Sequence, residues 1–425
     1  MMSEWKEVKI SEISDIARGV SWSGSDETKE KRANDIRVYK IPHIQSTSRF
    51  QQETEPTYIP KLSKMSKYIL QNDDILMVGS NGNPLRVGNV VRYRKSEEAV
   101  FASFLLRLRP LQGVDGNFLY YVLNGDRIQS SISEDSAGST GLRNINAKEM
   151  SELPVLLPPL PEQRKIATIL SSVDEAIEKT EAIIEQTEKV KKGLMQRLLT
   201  KGIGHSRFKQ TEIGEIPEEW EVHVLSDVAE RIFVGIATST TGSYAETGVP
   251  ILRNQNIKED YLSTDDLLYI TEEFSEANKS KKLKPGDVIT VRTGYPGITC
   301  VVPETFEGAQ TFTTLVTRPR KELLNPYFLS RFINSDMGKR FVLGGQAGGA
   351  QKNLNVGVLE KMVVPLPPME EQNKIVEILK SIDDKLVTEK QIKHRYEGIK
   401  QALMQVLLTG KVRVKVNEQD EVVNT

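Results

Sequence analysis

The polar residues best suited to recognition chemistry are arginines and carboxamides grouped in short loops. An arginine fork pairs with guanine edges, and Asn or Gln pairs with adenine edges. A polar turn favours the same residue types, so both interpretations stay open for this first set. The set comprises Arg253, Asn254, Gln255 and Asn256 after the strand-like run VPIL, and Lys40, His43 and Gln45 at the corresponding place in the first half.

A second set of polar residues follows two strand-like runs that begin Asp-Ile-Leu and Asp-Val-Ile. Neighbouring glycines would let the backbone approach phosphates closely, although hairpin turns explain the glycines equally well. The set comprises Ser80, Asn81 and Asn83 in the first half, and Arg292, Thr293 and Tyr295 in the second.

A third set lies just upstream of two long repeated segments. Its basic residue and its asparagine recur in both halves, which fits either a phosphate contact or a structural cap. The set comprises Ser139, Thr140, Arg143 and Asn144 in the first half, and Gln346, Gln351, Lys352 and Asn353 in the second.

Motifs for catalysis or for cofactor binding do not stand out. An adenine methyltransferase needs an Asn-Pro-Pro-aromatic loop, and the nearest match, Asn325-Pro326-Tyr327-Phe328, lacks the second proline. The glycine-rich phosphate loop of nucleotide hydrolases does not occur. The single cysteine, Cys300, excludes a zinc site built from cysteine pairs, and its strand-like context predicts a buried thiol. We therefore predict a non-catalytic chain with no metal or cofactor of its own.

An internal repeat organises the chain. Residues 158–200 and 367–409 align without a gap at an offset of 209, with 19 of 43 positions identical. The same offset pairs Arg109 with Arg318, while Trp5 pairs with Trp220 at an offset of 215. We expect both tryptophans to be core anchors. Because the copies agree at their ends and diverge between them, the sequence predicts two similar domains with different middles.

Each repeated segment predicts one long helix. A proline pair precedes it, and Glu162-Gln163 or Glu371-Gln372 then lie in the first turn, where free N–H groups favour them. Apolar residues recur at heptad spacing, which predicts an uninterrupted helix of about 40 residues, roughly 60 Å long. Such a helix cannot bury its apolar stripe alone, so we predict a coiled coil between the two helices. The alternative is two separate helices, each packed on its own globular domain or on another protein. The polar interruptions that could set its register are Thr180, Thr187, Glu389 and Lys393.

The regions before each helix show short β-type runs broken by Gly, Asn and Pro, with helical stretches between them. Each region is therefore predicted to be a mixed α/β domain, and the fold class is α+β with two such domains in tandem. The predicted order is domain 1 at 1–157, helix 1 at 158–200, a linker at 201–210, domain 2 at 211–366, helix 2 at 367–409 and a C-terminal tail at 410–425.

The charge balance is unusual for a protein that binds nucleic acid. The net charge is -1 and no segment is strongly basic, whereas DNA-binding proteins carry a basic excess that neutralises phosphates. Contact with DNA would then depend on local clusters or on more basic partners. The alternative is a scaffold that joins two protein-binding domains through a coiled coil, without any nucleic acid.

The bulk sequence also bears on location. No apolar run has the length of a membrane-spanning helix, and the start has neither the basic nor the apolar region of a secretory signal. We therefore expect a cytoplasmic protein without membrane contact.

The repeated helices resemble those of the specificity subunits of type I restriction–modification systems. The motifs that carry the resemblance are PPLPEQ and PPMEEQ at the helix starts, and LMQRLLT and LMQVLLT at the helix ends. The resemblance covers nearly the whole chain. It implies that each domain is a target-recognition domain reading one half of a bipartite, asymmetric DNA site. It also implies an antiparallel helix pair with pseudo-twofold symmetry that sets the spacer between the half-sites.

The resemblance implies partners as well. Two methyltransferase subunits would dock on the helices and their roots, and two translocating restriction subunits would be held through them. S-adenosylmethionine, ATP and Mg would then be bound by those partners and not by this chain. A modification-only or fused system would have the same plan, and only its partner genes would distinguish it.

Overall fold

A computed structural model describes residues 4–44, 50, 55–135, 143–344 and 354–416 of the chain. The chain divides into two compact units. The first unit comprises Met1–Glu181 and Gln391–Thr425, and the second comprises Ala182–Lys390. Each unit therefore combines a globular domain with parts of both long helices.

The first unit has short strands and four short helices before the first long helix. Its strands are β1 Lys6–Lys9, β2 Ser14–Arg18, β3 Asp35–Tyr39, β4 Tyr58–Pro60, β5 Ile75–Val78, β6 Ser80–Asn81, β7 Val90–Arg92, β8 Ala99–Phe101, β9 Leu105–Pro110, β10 Arg143–Asn144 and β11 Pro154–Leu157. Its helices are α1 Ile10–Ile13, α2 Gly116–Asn124, α3 Asp126–Asp135, α4 Ala147–Glu152 and the start of α5 Leu160–Lys201. Single 3₁₀ turns lie at Gly24–Asp26, Ile41–His43, Ser63–Tyr68 and Pro84–Arg86.

A four-stranded antiparallel sheet with the order β2-β9-β5-β7 forms the centre of the first domain. A second sheet has the order β4-β3-β8, with β3 and β8 parallel. Strand β5 reads ILMV and is buried at all four positions, because both of its faces pack on apolar residues. One face packs on α2 and α3 and on the start of α5, and thus the domain core and the helix root are continuous.

The second unit repeats this plan. Its strands are β12 Phe208–Thr211, β13 Gly214–Pro217, β14 Glu221–Val224, β15 Ala229–Val234, β16 Tyr244–Ala245, β17 Val249–Leu252, β18 Ile257–Lys258, β19 Tyr261–Leu262, β20 Leu268–Ile270, β21 Val288–Thr290, β22 Thr299–Val301, β23 Gln310–Thr311, β24 Leu315–Pro319 and β25 Val363–Leu366. Its helices are α6 Leu225–Val228, α7 Glu272–Ala277, α8 Pro326–Asn334, α9 Asp336–Gly344, α10 Val356–Glu360 and the start of α11 Met369–Leu407. Its 3₁₀ turns lie at Asn254–Asn256, Lys279–Lys281 and Glu304–Phe306.

The central sheet of the second domain has the order β15-β24-β21-β22, strand for strand the equivalent of the first. The parallel pair β17 and β23 likewise matches β3 and β8. Cys300 lies buried in β22, as predicted, and burial raises the pKa of its thiol. The prediction of two mixed α/β domains with one plan is confirmed.

The long helices α5 and α11 have 42 and 39 residues and lie within two residues of the predicted bounds. They pair antiparallel in each unit. In the first unit Lys393 binds Glu181 at 3.0 Å and Lys400 binds Asp174 at 2.7 Å. Residue numbers therefore increase along α11 where they decrease along α5, which is the mark of an antiparallel pair. In the second unit Lys191 binds Asp383 at 2.6 Å and Lys390 binds Glu188 at 3.0 Å.

The predicted polar interruptions act differently from one another. Lys393 joins the two helices, as a register-setting residue would. Thr180 and Thr187 instead donate to the carbonyl oxygens of Ala176 and Ile183 in their own helix. A threonine hydroxyl on a helix reaches the carbonyl four residues earlier, which satisfies it without a partner helix.

Candidate nucleic-acid interface

In each domain an arginine on the central sheet pairs with a buried aspartate. Arg109 on β9 binds Asp74 through two hydrogen bonds of 2.7 Å, and Arg318 on β24 binds Asp287 with the same geometry. Asp74 is 0% exposed and Asp287 1%. The hydrogen bonds that the two arginines donate to these carboxylates raise the pKa of both arginines. Each pair joins the turn before β5 or β21 to the neighbouring strand β9 or β24, and the second residue set follows β5 and β21 in the chain.

The predicted sets of the first domain come together in space. Strand β6 with Ser80 and Asn81 pairs with β10, which carries Arg143 and Asn144. The guanidinium of Arg86 donates to the carbonyl oxygens of Ile41, at 3.3 Å, and Ile44, at 2.5 Å, and so holds the turn that contains His43. Three segments far apart in sequence therefore form one edge of the domain.

The sets of the second domain also converge. Asn254 donates to the Thr293 hydroxyl at 2.8 Å, which joins the first set to the second. The Leu354 amide donates to the Arg292 carbonyl at 3.0 Å, so the chain that follows the third set reaches the same edge. The corresponding edges of the two domains are thus built from corresponding segments.

The side chains of the candidate residues differ in their exposure. Asn83, Asn144 and Gln255 are exposed, and Tyr295 is 80% exposed on a turn whose Gly294 has a φ of +84°. Ser80, Asn81, Thr293 and Arg292 are half-buried. The exposed members can contact a bound molecule without rearrangement of the domain.

Other candidates are engaged inside the protein. His43 is 2% exposed, packs edge-on against Tyr39, and has its pKa lowered by burial. Asn256 is 0% exposed and donates to the Ser263 and Asp265 carbonyl oxygens. Lys40 forms an ion pair with Glu27 at 2.9 Å. Both His43 and Asn256 also accept the backbone N–H three residues earlier, so they shape the two equivalent 3₁₀ turns.

Unpartnered polar atoms collect at the edge of the second domain. Within the part of the chain that the structure describes, the Arg253 Nε, the Asn254 Oδ1 and the Arg292 Nε are buried without a hydrogen-bond partner. Buried polar groups are normally satisfied, so an unsatisfied group calls for an explanation such as a bound ligand or water. The DNA contacts predicted for this edge remain a prediction.

Several predicted residues lie outside the described part of the chain, and Arg143 is described only by its backbone. The residues outside it are Gln45, Ser139, Thr140, Gln346, Gln351, Lys352 and Asn353.

Sequence reasoning missed two residues at the edge of the first domain. Leu85 is 83% exposed in the turn that Asn83 caps, and Arg86 joins that turn to the turn containing His43. The sequence feature that could have identified them is an apolar side chain in a Pro-Leu-Arg turn next to the candidate polar residues. Leu85 and Tyr295 each lie on the turn that follows the central strand, β5 or β21.

The glutamates at the helix starts lie in the first turn, as predicted, and they also bind side chains outside their helix. Glu162 accepts from the Trp5 indole at 3.0 Å and from Arg413 at 2.7 Å, and Glu371 accepts from the Trp220 indole at 2.9 Å and from His205. Their carboxylates therefore bind side chains of the domain and of the segment after a long helix. Both tryptophans anchor the domain core, as predicted.

The neighbouring glutamines fasten the domain to the helix in the same way in both units. Gln163 accepts from the Asp115 amide and donates to the Pro158 carbonyl, and Gln372 accepts from the Asn325 amide and donates to the Pro367 carbonyl. These contacts explain why the helix-start motif occurs in both copies.

Comparison with known proteins defines the class. The family model "Type I restriction modification DNA specificity domain" matches residues 2–189 and 217–397. The Type I restriction enzyme MjaVIII specificity subunit of Methanocaldococcus jannaschii is 29% identical over 82% of this chain and 81% of that protein. The Type I restriction enzyme EcoKI specificity subunit of Escherichia coli is 23% identical over 88% of this chain and 80% of that protein.

Solved structures share the fold. The S subunit of a type I restriction–modification system from M. genitalium superposes with a TM-score of 0.56 at 15% identity, over 96% of both chains. A chain from a study of complex assembly and conformational transition of a type I R-M system superposes with a TM-score of 0.60 at 17% identity, over 97% of this chain and 100% of that one.

Two similar α/β domains, each followed by a long helix, define a two-domain DNA-specificity protein. The chain belongs to the type I restriction–modification DNA specificity family. It is a specificity subunit with two target-recognition domains, and it is a non-catalytic component of its enzyme. These comparisons favour DNA recognition over a scaffold that binds only proteins.

Proposed function

We propose that each domain reads one half of a bipartite, asymmetric site in double-stranded DNA and that the helix pair sets the spacer between the halves. The observation that carries this proposal is the convergence of the same three segments at one edge of each domain. The two edges share their framework but present different side chains. Two similar frameworks with different side chains suit a site whose halves differ in sequence.

The proposed DNA contacts are the exposed side chains of these edges together with the half-buried Arg292. In the second domain they are Gln255, Arg292 and Tyr295, and in the first domain Asn83, Leu85 and Asn144. Arg and Gln offer the donor patterns that distinguish guanine and adenine in the major groove, and an apolar side chain suits a thymine methyl group. We assign His43 and Asn256 a supporting role, because both are buried in the turns that they shape.

Two methyltransferase subunits are the proposed partners, one for each of two pockets that lie at corresponding places in the two units but differ in volume, about 270 Å³ against about 50 Å³. The first pocket, of about 270 Å³, lies where the end of α11 meets the turn between α2 and α3. The second lies where the end of α5 meets the turn between α8 and α9. The helix residues that line both pockets match at the offset of 209: Met195 with Met404, Gln196 with Gln405, Leu199 with Leu408 and Thr200 with Thr409.

We further propose that two restriction subunits assemble through the methyltransferase subunits and that S-adenosylmethionine, ATP and Mg bind to those partners. The near-neutral charge of this chain supports shared DNA binding, since phosphate neutralisation requires basic groups that partners can supply. The complex would act in the cytoplasm. Among the described residues, no helix combines the length and the apolar composition needed to cross a bilayer.

A selection from a random-sequence duplex library tests the proposal. The chain would be used alone and with its methyltransferase subunits at moderate salt, and bound duplexes would be sequenced. We expect two short motifs at a constant separation. Failure of both preparations to enrich any bipartite motif would refute DNA reading by this chain.

A further inference from the structure

Each unit contains one cluster in which an aspartate joins three helices. In the first unit, Asp174 on α5 binds Lys400 on α11 at 2.7 Å and accepts from the Tyr121 hydroxyl on α2 at 2.7 Å. We call this the Asp174 cluster. Tyr121 is 3% exposed, and Asp174 and Lys400 have side chains that are 20% and 26% exposed.

The second unit has the equivalent Asp383 cluster. Asp383 on α11 binds Lys191 on α5 at 2.6 Å and forms a second ion pair with Arg331 on α8. Arg331 also binds Asp260 at 2.5 Å, so the cluster extends into the loop between β18 and β19. Asp174 matches Asp383, and Lys191 matches Lys400, at the same offset of 209, although the α2 and α8 partners differ.

The position of the clusters along the helix matters for their effect. The domain is attached to α5 at Glu162, Gln163, Ile166, Leu170 and finally Asp174. Twelve residues of helix separate Glu162 from Asp174, which corresponds to about 18 Å. An attachment at the far end of this line resists tilting of the domain more strongly than one near the root, because it acts over a longer arm.

The spacer length that two linked recognition domains can match depends on how far each domain can tilt. Each additional base pair moves the second half-site by about 3.4 Å and rotates it by roughly 35° about the duplex axis. A domain fixed at one angle can therefore match one spacer length, whereas a domain free to tilt can match neighbouring lengths.

We propose that Asp174 and Asp383 are positioning residues that hold each recognition domain at one angle on its helix pair and so restrict the spacer length that the protein accepts. This inference rests on the proposed reading of a bipartite site. The hydrogen bonds involved have a charged partner and are half-buried, and they are therefore among the stronger single contacts between a domain and its helices.

The test uses the complex with methyltransferase subunits and duplexes that carry both half-sites with spacers of varied length. The variants are D174N, D383N and Y121F, which remove a charge or one hydroxyl with little change in shape. D384N is the matched control, since the Asp384 side chain is 64% exposed and forms an ion pair with Lys380, one turn earlier on the same helix. Y121F keeps the buried ring, so it reports on the contact even if an aspartate variant does not fold.

We expect the three variants to keep the half-site sequences but to lose about tenfold of the preference for the cognate spacer over spacers one base pair longer or shorter. D384N should keep the wild-type preference. An unchanged spacer preference in these variants, with or without weaker binding at all spacer lengths, would overturn this inference but leave the proposed function standing. If the wild-type complex selected no bipartite motif, the proposed function itself would fail.

Discussion

At the scale of single residues, the two domains keep the same buried contacts and change the exposed ones. The pairs Asp74–Arg109 and Asp287–Arg318 are alike in partners and distances. The side chains at the recognition edges differ, with Asn83 and Leu85 in one domain and Arg292 and Tyr295 in the other. Buried charges need their partners, whereas exposed loop residues are free to vary with the DNA sequence that is read.

Replacement of Asp287 by alanine tests the buried pair. It leaves the guanidinium of Arg318, whose side chain is 15% exposed, without its carboxylate, which costs about 3–5 kcal/mol in unfolding free energy. A urea-unfolding experiment that follows the second domain measures this loss of unfolding free energy. E370Q is the control, because the Glu370–Lys374 pair is exposed and its loss should leave the stability close to that of the wild type. Equal effects of the two substitutions would contradict the assigned role.

Replacement of Arg292 by alanine tests base reading. If its guanidinium contacts a base, the variant should lose about 1–3 kcal/mol of discrimination at one position of one half-site and keep the other half-site unchanged. Selection from a duplex library with the methyltransferase complex measures the discrimination at each position of both half-sites. K361A, which removes an exposed cation outside the recognition edge, should leave the motif intact. A uniform weakening at all positions would instead indicate a phosphate contact.

At the scale of elements, the root of each long helix is a point where several segments meet. Glu162 at the start of α5 binds both Trp5 and Arg413, and Arg413 follows the end of α11. Burial opposes ionisation of Glu162, but the hydrogen bonds from Arg413 and Trp5 outweigh it and lower the pKa of the carboxyl group. The equivalent position in the second unit uses His205 where the first uses Arg413.

This lowered pKa predicts a dependence of stability on acid. A depressed carboxyl pKa contributes stability that is complete above the unfolded-state value, about 4.3, and that is lost as the pH falls through the lower folded-state value. The difference in melting temperature between the wild type and E162Q should therefore be largest near neutral pH and shrink below about pH 4. A difference that stays constant across this range would show that the charge of Glu162 does not stabilise the root.

At the scale of the whole molecule, the net charge of -1 bears on how the chain meets DNA. The slope of log affinity against log salt reports how many phosphates are neutralised. We expect a shallow slope for the chain alone and a markedly steeper one for its complex with methyltransferase subunits. Fluorescence anisotropy of a labelled duplex over a salt series measures both. A steep slope for the isolated chain would mean that its own local clusters supply most of the phosphate contacts.

Much of the architecture could be predicted from the sequence. The 209-residue offset predicted two copies of one plan, and the repeated segments with their heptad spacing predicted two long helices. The core positions of Trp5 and Trp220 were predicted from their recurrence at the start of both copies, and the burial of Cys300 from its strand-like context. These features depend on local periodicity and on direct comparison of the copies, which a single sequence contains in full.

The tertiary structure decided which distant groups meet. No spacing in the sequence shows that Glu162 binds Arg413, that Asp383 binds both Lys191 and Arg331, or that Asn254 binds Thr293. It also separated His43 and Asn256, which shape turns, from Gln255 and Tyr295, which face solvent. Polar loop residues look alike in a sequence, because their roles depend on burial and on partners that only the folded chain brings within hydrogen-bond distance.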